Sequence, residues 1–148
     1  MIIGGGVFQV PVIKIAKSMG LKVVVTDYNP ESEGMLLADY PIEVSTRNIN
    51  LTVNTAKQFH ISCPLDGVMT VGTDASQTVA AVADALNLPG IPFEVAERAT
   101  DKIKMRQVLQ EKGVPVPQFR PVWTLDEGRE ALNSMELPLV IKPCDNMG

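Results

Sequence analysis

Cysteine, histidine and surplus positive charge are scarce in this sequence. Of its 148 residues, 2 are cysteine and 1 is histidine. Cys63 and Cys144 show no metal-ligand spacing and are too few to staple a chain of this size, so the expected compartment is reducing and cytoplasmic. His60 and Cys63 are of metal-binding type, but two such residues make no site without further partners. The 13 Lys and Arg against 17 Asp and Glu leave a net charge of −4. That argues against a general nucleic-acid binder, which gathers Lys and Arg into a patch. No apolar run approaches the roughly 18 residues of a membrane-spanning helix, because Lys, Asp or Pro interrupts the longest candidates. A basic stretch followed by an apolar one and a cleavage site is also missing, so nothing suggests secretion.

What is present is an ordinary globular composition, 45% apolar and 20% charged. A chain of this length buries about 68–70% of its unfolded surface, enough for one real core. A short β-branched run, a glycine turn and an amphipathic stretch recur along it, the pattern of βαβ units. Met1 to Ile3 predicts a strand, Gly4-Gly5-Gly6 a turn, and residues 7–19 a helix with Pro11 in its first turn and Gly20 at its end. Lys22 to Asp27 predicts a second strand, whose three consecutive valines suit a sheet covered on both faces. Residues 28–39 read as a loop with a short helix, Tyr40 to Val44 as a third strand and 50–59 as a weaker helix. Gly67 to Val71 predicts a fourth strand, then the turn Gly72-Thr73-Asp74 and a helix over 75–86 with Val79, Ala80, Ala83 and Leu86 toward the sheet. The expected strand order is 3-2-1-4.

Pro89-Gly90 and Pro92 punctuate the chain, placing a boundary near residue 93. Beyond it, residues 101–112 read as a charged helix closed by Gly113, and 119–123 and 138–142 as strands. Thr124 to Glu127 has capping-box spacing for a helix to about Met135, and Trp123 and Met135 read as packing residues. The fold class is therefore α/β: a Rossmann-like doubly wound parallel sheet over residues 1–93, followed by an incomplete α+β subdomain over 94–148. The second stretch is too short to bury a complete core alone. Both ends are abrupt, which predicts a fragment of a longer protein.

Gly4 and Gly6 before a helix match the first two thirds of the dinucleotide fingerprint, with Gln9 in the third position and Asp27 where a ribose-binding acid is expected. A strand-turn-helix needs glycine in any case, so a bound dinucleotide, a substrate loop and plain turn geometry all stand as readings. Gly72, Thr73 and Asp74 lie at the carboxyl edge where open α/β sheets collect ligands, so they and Gly4, Gly5 and Gly6 are the candidate substrate-binding residues. Thr73 or Asp74 also reads as a helix cap. Glu31, Ser32 and Glu33 border the same edge as a solvated turn. In the second half, Lys102 opens a helix, and Lys142 closes an apolar strand before a loop holding Asp145, Asn146 and Gly148. A lysine in that setting suits a polyphosphate as a point charge.

The succession GGG-helix, VVVTDYNP, VGTDASQTVAAVADALNLPG, ATDKIKMRQVLQEKGVPVPQF and LPLVIKPCDNMG resembles the amino-terminal part of an ATP-grasp ligase. Biotin carboxylase, the large subunit of carbamoyl-phosphate synthetase and the purine-pathway ligases are of this kind. The resemblance spans essentially the whole chain. Its most specific piece is the ordered pair Asp101-Lys102 and Val140-Ile141-Lys142-Pro143, separated by a Gly-Val-Pro-Val-Pro connector. It implies a pre-ATP-grasp domain over 1–93 and the beginning of the ATP-grasp nucleotide-binding domain over 94–148. It further implies ATP and Mg2+ as cofactors and a small-molecule carboxylate as substrate. Lys102, Lys142, Asp145, Asn146 and Gly148 would serve the nucleotide, with Cys144 to Gly148 opening the glycine-rich loop over the phosphates.

The implied chemistry is carboxylate–amine or carboxylate–thiol ligation through an acyl phosphate. Catalytic residues and magnesium ligands are expected downstream of Gly148, so none is assigned here and the chain alone is expected to be inactive. Two alternatives remain: a nicotinamide-dependent Rossmann protein using Gly4, Gly6 and Asp27, or a non-catalytic ligand-binding module of the same fold. The acid, the nucleophile and the oligomeric state, a homo-oligomer included, are left open.

Overall fold

A computed structural model describes residues 1–145 of the chain, which divide into two compact units, Met1–Glu97 and a second beginning at Arg98. The first alternates strand and helix: Ile2–Ile3 (β1), Val10–Ser18 (α1), Val24–Asp27 (β2), Glu33–Leu37 (α2), Tyr40–Glu43 (β3), Ile49–Ser62 (α3) and Ser76–Leu86 (α4). Phe93–Thr100 (α5) straddles the division in sequence, and Lys102–Glu111 (α6) and Leu125–Ser134 (α7) follow. Among the described residues no helix is long and apolar enough to cross a membrane.

The sheet is parallel, with β1 on β2 and β2 on β3. On the other side of β1, Ile2 bridges to Met69, with Ile3 N–H donating to the Met69 carbonyl at 2.9 Å and Met69 N–H to the Met1 carbonyl at 3.1 Å. The spatial order is thus 3-2-1 with the segment around Met69 in fourth place. The expected strand over 67–71 shrinks to this one bridge because side chains take the ladder's acceptors. Thr70 Oγ1 donates to the Ile3 carbonyl at 2.6 Å, and the Gln9 side-chain amide donates to the Val71 carbonyl.

The valines of β2 show why the sheet is covered on both faces. Val23 and Val25 pack with Ile2, Ile13 and Met35 beneath α1 and α2, whereas Val24 packs with Ala56, Leu65 and Val82 beneath α3 and α4. On α4 the fully buried residues are Thr78, Ala80, Val82 and Ala83, so Val82 takes the place expected of Val79. Thr78 Oγ1 then donates to the Thr46 carbonyl at 2.6 Å, tying α4 to the loop after β3.

The second unit is built differently. Among its described residues Ala131 is the only buried apolar one. The strands expected over 119–123 and 138–142 do not form there, and Val140 and Ile141 stand 77% and 81% exposed. An extended segment becomes a strand only when a neighbour takes its N–H and C=O groups, and no described residue does so. Trp123, expected in packing, is exposed. Local order comes instead from caps and pairs. Asp101 caps α6, and Arg106 lies over the Phe119 ring at 5.5 Å.

The capping box at α7 is complete. Glu127 N–H donates to Thr124 Oγ1 at 3.2 Å, and the Glu127 carboxylate accepts from the backbone of Trp123 at 2.7 Å and Thr124 at 3.1 Å. Those two backbone donors, with Arg120 nearby, hold the Glu127 carboxyl below its ordinary value of 4.5. A depressed carboxyl contributes stability that is present above the unfolded value and is lost as pH falls through the folded one. Helix content of α7, followed by amide resonances, is therefore expected to decline on acidification below pH 4.5 in the native chain. Glu127→Gln should remove that pH dependence, and an identical acid profile in both would contradict this role.

Candidate functional site

In a parallel sheet the segments after β1, β2, β3 and Met69 emerge at one edge, the carboxyl edge. Three of them are tied together by named contacts. Gly5 N–H donates to Asp27 Oδ2 at 2.8 Å and Asn29 N–H to Asp27 Oδ1 at 2.9 Å, so one carboxylate joins the glycine loop to the segment after β2. Gly34 N–H donates to the Gly5 carbonyl at 2.6 Å, seating α2 on the same loop. Gln9 is buried and reaches Val71 with its amide, which joins the glycine loop to the turn before α4.

Gly4 has φ +98°, and a methyl there would stand 3.3 Å from Gln9 Cδ and 3.4 Å from Thr73 Cγ2. Gly72 has φ +61°, and its missing Cβ would fall 2.9 Å from the Cβ of Phe8. Glycine is thus required at both positions by backbone conformation and by the close approach of the two loops.

Of the candidate substrate residues, Gly4 and Gly5 are buried, Gly6 and Thr73 are half-buried, and Gly72 and Asp74 are exposed. The solvent-accessible part of this edge is accordingly Gly6 and Gly72 to Asp74, while Gly4 and Gly5 are enclosed. Neither Thr73 nor Asp74 caps α4, whose N-cap is Ala75 with no side-chain bond, so the capping reading is corrected. The adjoining rim carries the exposed side chains of Phe8 and Tyr28. A shallow depression of about 560 Å³ lined by Ser45, Arg47, Asn48, Ile49 and Asn50 opens where β3 runs into α3, on the same edge. The spacing shows Gln9 only as the residue in the fingerprint's third position and Gly34 only within a loop with a short helix; their closing contacts with Val71 and Gly5 lie outside any local pattern.

The geometry bears on the dinucleotide alternative. Both oxygens of Asp27 are engaged by backbone N–H groups, so it closes the loop rather than facing a ribose. The Gln9 side chain, at the position where the fingerprint has its third glycine, lies against Gly4 and Gly6.

In the second unit, Asp101 Oδ1 accepts from Ile103 and Lys104 N–H, and Lys102 N–H donates to the Cys144 carbonyl at 2.9 Å. Residues 142–145 are therefore brought to the start of α6, with Lys102 half-buried and Lys142 and Asp145 exposed. Lys142 leaves an extended segment rather than a strand end. Asn146 and Gly148, the remaining nucleotide candidates, lie outside the described residues. Among the described residues no three His, Cys, Asp or Glu side chains gather as a metal site. Cys63 and Cys144 are free, and His60 Nδ1 accepts from Leu65 N–H at 2.9 Å, a structural use.

Comparison with known proteins identifies the class. The chain belongs to the ATP-grasp N-terminal domain family, whose pattern matches residues 13–90. An L-amino acid ligase from Bacillus licheniformis has a similar solved structure, with a TM-score of 0.78 and 28% identity over 98% of this chain and 36% of that one. An alanine–anticapsin ligase of Bacillus subtilis is 37% identical over 65 residues, 44% of this chain and 14% of that protein. An uncharacterised protein of Sinorhizobium fredii is 31% identical over 105 residues, 71% of this chain. The chain spans only 22% of that relative's length. A D-alanine–D-alanine ligase of Delftia acidovorans is 34% identical over 67 residues, 42% of this chain and 21% of that protein.

Proposed function

We propose that this chain supplies the substrate edge and part of the phosphate site of an ATP-dependent carboxylate–amine or carboxylate–thiol ligase. The observation that carries the reading is the convergence of the Gly4–Gly6 loop, the segment after Asp27 and the turn at Gly72 on one sheet edge. A small carboxylate binds over Gly6 and Gly72 to Asp74, and amino acids are the first class to test, given what two of the relatives are named for. Arg47, on the same edge, provides the positive charge that draws in the carboxylate.

In the reaction a carboxylate oxygen attacks the γ-phosphorus of ATP, giving an acyl phosphate and ADP. The amine or thiol then attacks the acyl carbon and releases phosphate. Carboxylate and triphosphate repel one another unless the charge is offset, and Lys102 and Lys142 neutralise part of that on the triphosphate. Magnesium, where bound, would neutralise more of it; among the described residues no three His, Cys, Asp or Glu side chains gather to hold it. The scarcity of cysteine supports a reducing, cytoplasmic location.

The test is Gly6→Val in the ligase that carries this chain. A Cβ at Gly6 would stand 3.3 Å from Gln9 Oε1. The variant is expected to raise the apparent KM for the carboxylate severalfold while leaving that for ATP unchanged. Unaltered kinetics in a folded variant would contradict the assignment.

A further inference from the structure

The first N–H groups of an α-helix have no partner within the helix and ordinarily stay open to water or to an anion. In α6 they are taken. Asp101 Oδ1 accepts from Ile103 at 2.8 Å and from Lys104 at 3.0 Å, and Lys102 N–H, at the first helical position, donates to the Cys144 carbonyl at 2.9 Å. An anion arriving here finds no free backbone donor at residues 102–104 and must be met by side-chain charge. The Lys102–Cys144 bond also joins two segments far apart in sequence, and Lys142 stands only two residues before its acceptor. Summing the bond and the extended reach of those residues keeps the Lys142 Cα within about 12 Å of the Lys102 backbone.

We propose that this backbone hydrogen bond is a positioning clasp that holds residues 142–145 against the start of α6, so that Lys102 and Lys142 address one polyphosphate. The inference rests on the reading of both lysines as phosphate ligands. Lys102 thus acts twice, through its ammonium group and through its N–H. The second role makes the spacing of the two charges a property of the fold rather than of the ligand.

Proline separates the two roles. The first helical position tolerates it because the N–H there is not part of the helix ladder and φ is already suitable. Asp101, at φ −97° and ψ 111°, has the extended conformation that a residue before proline adopts. Lys102→Pro removes charge and donor, whereas Lys102→Ala removes only charge. The experiment is nitrogen-15 NMR on the 148-residue protein and both variants.

In the native chain the Lys102 amide is expected to exchange at least about tenfold more slowly than a free peptide, although first-turn amides are normally unprotected. Lys102→Ala should keep that protection and leave the Asp145 resonance unchanged. Lys102→Pro should keep the helical resonances of 103–111 while Asp145 shifts and loses order. An unprotected Lys102 amide in the native chain, or an unchanged Asp145 in Lys102→Pro, would overturn the clasp. If Lys102→Pro loses the helix, native amide protection decides the matter. Lys142→Met leaves these signals intact and reads only on ATP affinity, so failure of the clasp and failure of the phosphate reading are told apart.

Discussion

Gly34→Ala is expected to lower the melting temperature of the first unit by about 10–20 °C. A Cβ at Gly34 would fall 2.6 Å from the Gly5 carbonyl oxygen, 2.9 Å from its carbon and 2.8 Å from Ile13 Cδ1. Two of those neighbours are backbone, and they belong to the glycine loop that Asp27 and Gln9 hold in place, so they cannot withdraw as a flexible side chain would. Overpacking of this kind costs about 1–3 kcal/mol, and the upper half of that range applies where backbone meets backbone. In a unit of this size each kcal/mol moves the midpoint by roughly 4–8 °C. Gly128→Ala is the control. Nothing lies within 4 Å of its Cβ position inside α7, and the change should stabilise that helix by about 0.5–1 kcal/mol. Melting followed by circular dichroism reads the first unit's loss, and an unchanged midpoint in Gly34→Ala would show that α2 does not seat on Gly5.

Lys142→Met is expected to weaken ATP binding by about ten- to a hundredfold in the proposed ligase, with the fold intact. Lys142 is exposed and makes no hydrogen bond or ion pair among the described residues, so its loss removes no internal support. A charge-assisted contact to phosphate is worth about 1.5–3 kcal/mol, which is the origin of the range. Lys142→Arg should recover part of the affinity, since it restores the charge with a different shape. The 148 residues alone, which span 36% of the L-amino acid ligase they resemble, are expected to bind ATP weakly and not to turn it over. Calorimetry measures both, and native affinity in Lys142→Met would refute the role given to it.

The parallel, doubly covered sheet is legible in the sequence because Val23, Val24 and Val25 send alternate side chains to two cores, as a strand covered on both faces does. The caps are legible too, since Asp101 and the Thr124–Glu127 box act through residues adjacent in sequence. What pattern does not show is competition for the same backbone group. Residues 67–71 have the composition of a strand, yet Thr70 and Gln9 claim the Ile3 and Val71 carbonyls that its ladder would use. Residues 138–142 likewise have strand character without a described partner. Pro92 punctuates the chain at the start of α5, where its carbonyl accepts from Val95 and Ala96. The candidate site follows the same division. Its glycines announce a turn, while the closure by Asp27, Gln9 and Gly34 depends on contacts that no local spacing reveals.

The most direct test follows an oxygen atom. The proposed ligase is incubated with ATP, an amine acceptor and amino acids labelled with oxygen-18 in the carboxylate, and the released phosphate is analysed by mass. Attack of the carboxylate on the γ-phosphorus, followed by displacement of phosphate from the acyl carbon, predicts ADP as the nucleotide product and one labelled oxygen in each phosphate. Phosphate without label, or AMP and pyrophosphate in place of ADP and phosphate, would contradict the acyl-phosphate chemistry on which this account of the chain depends.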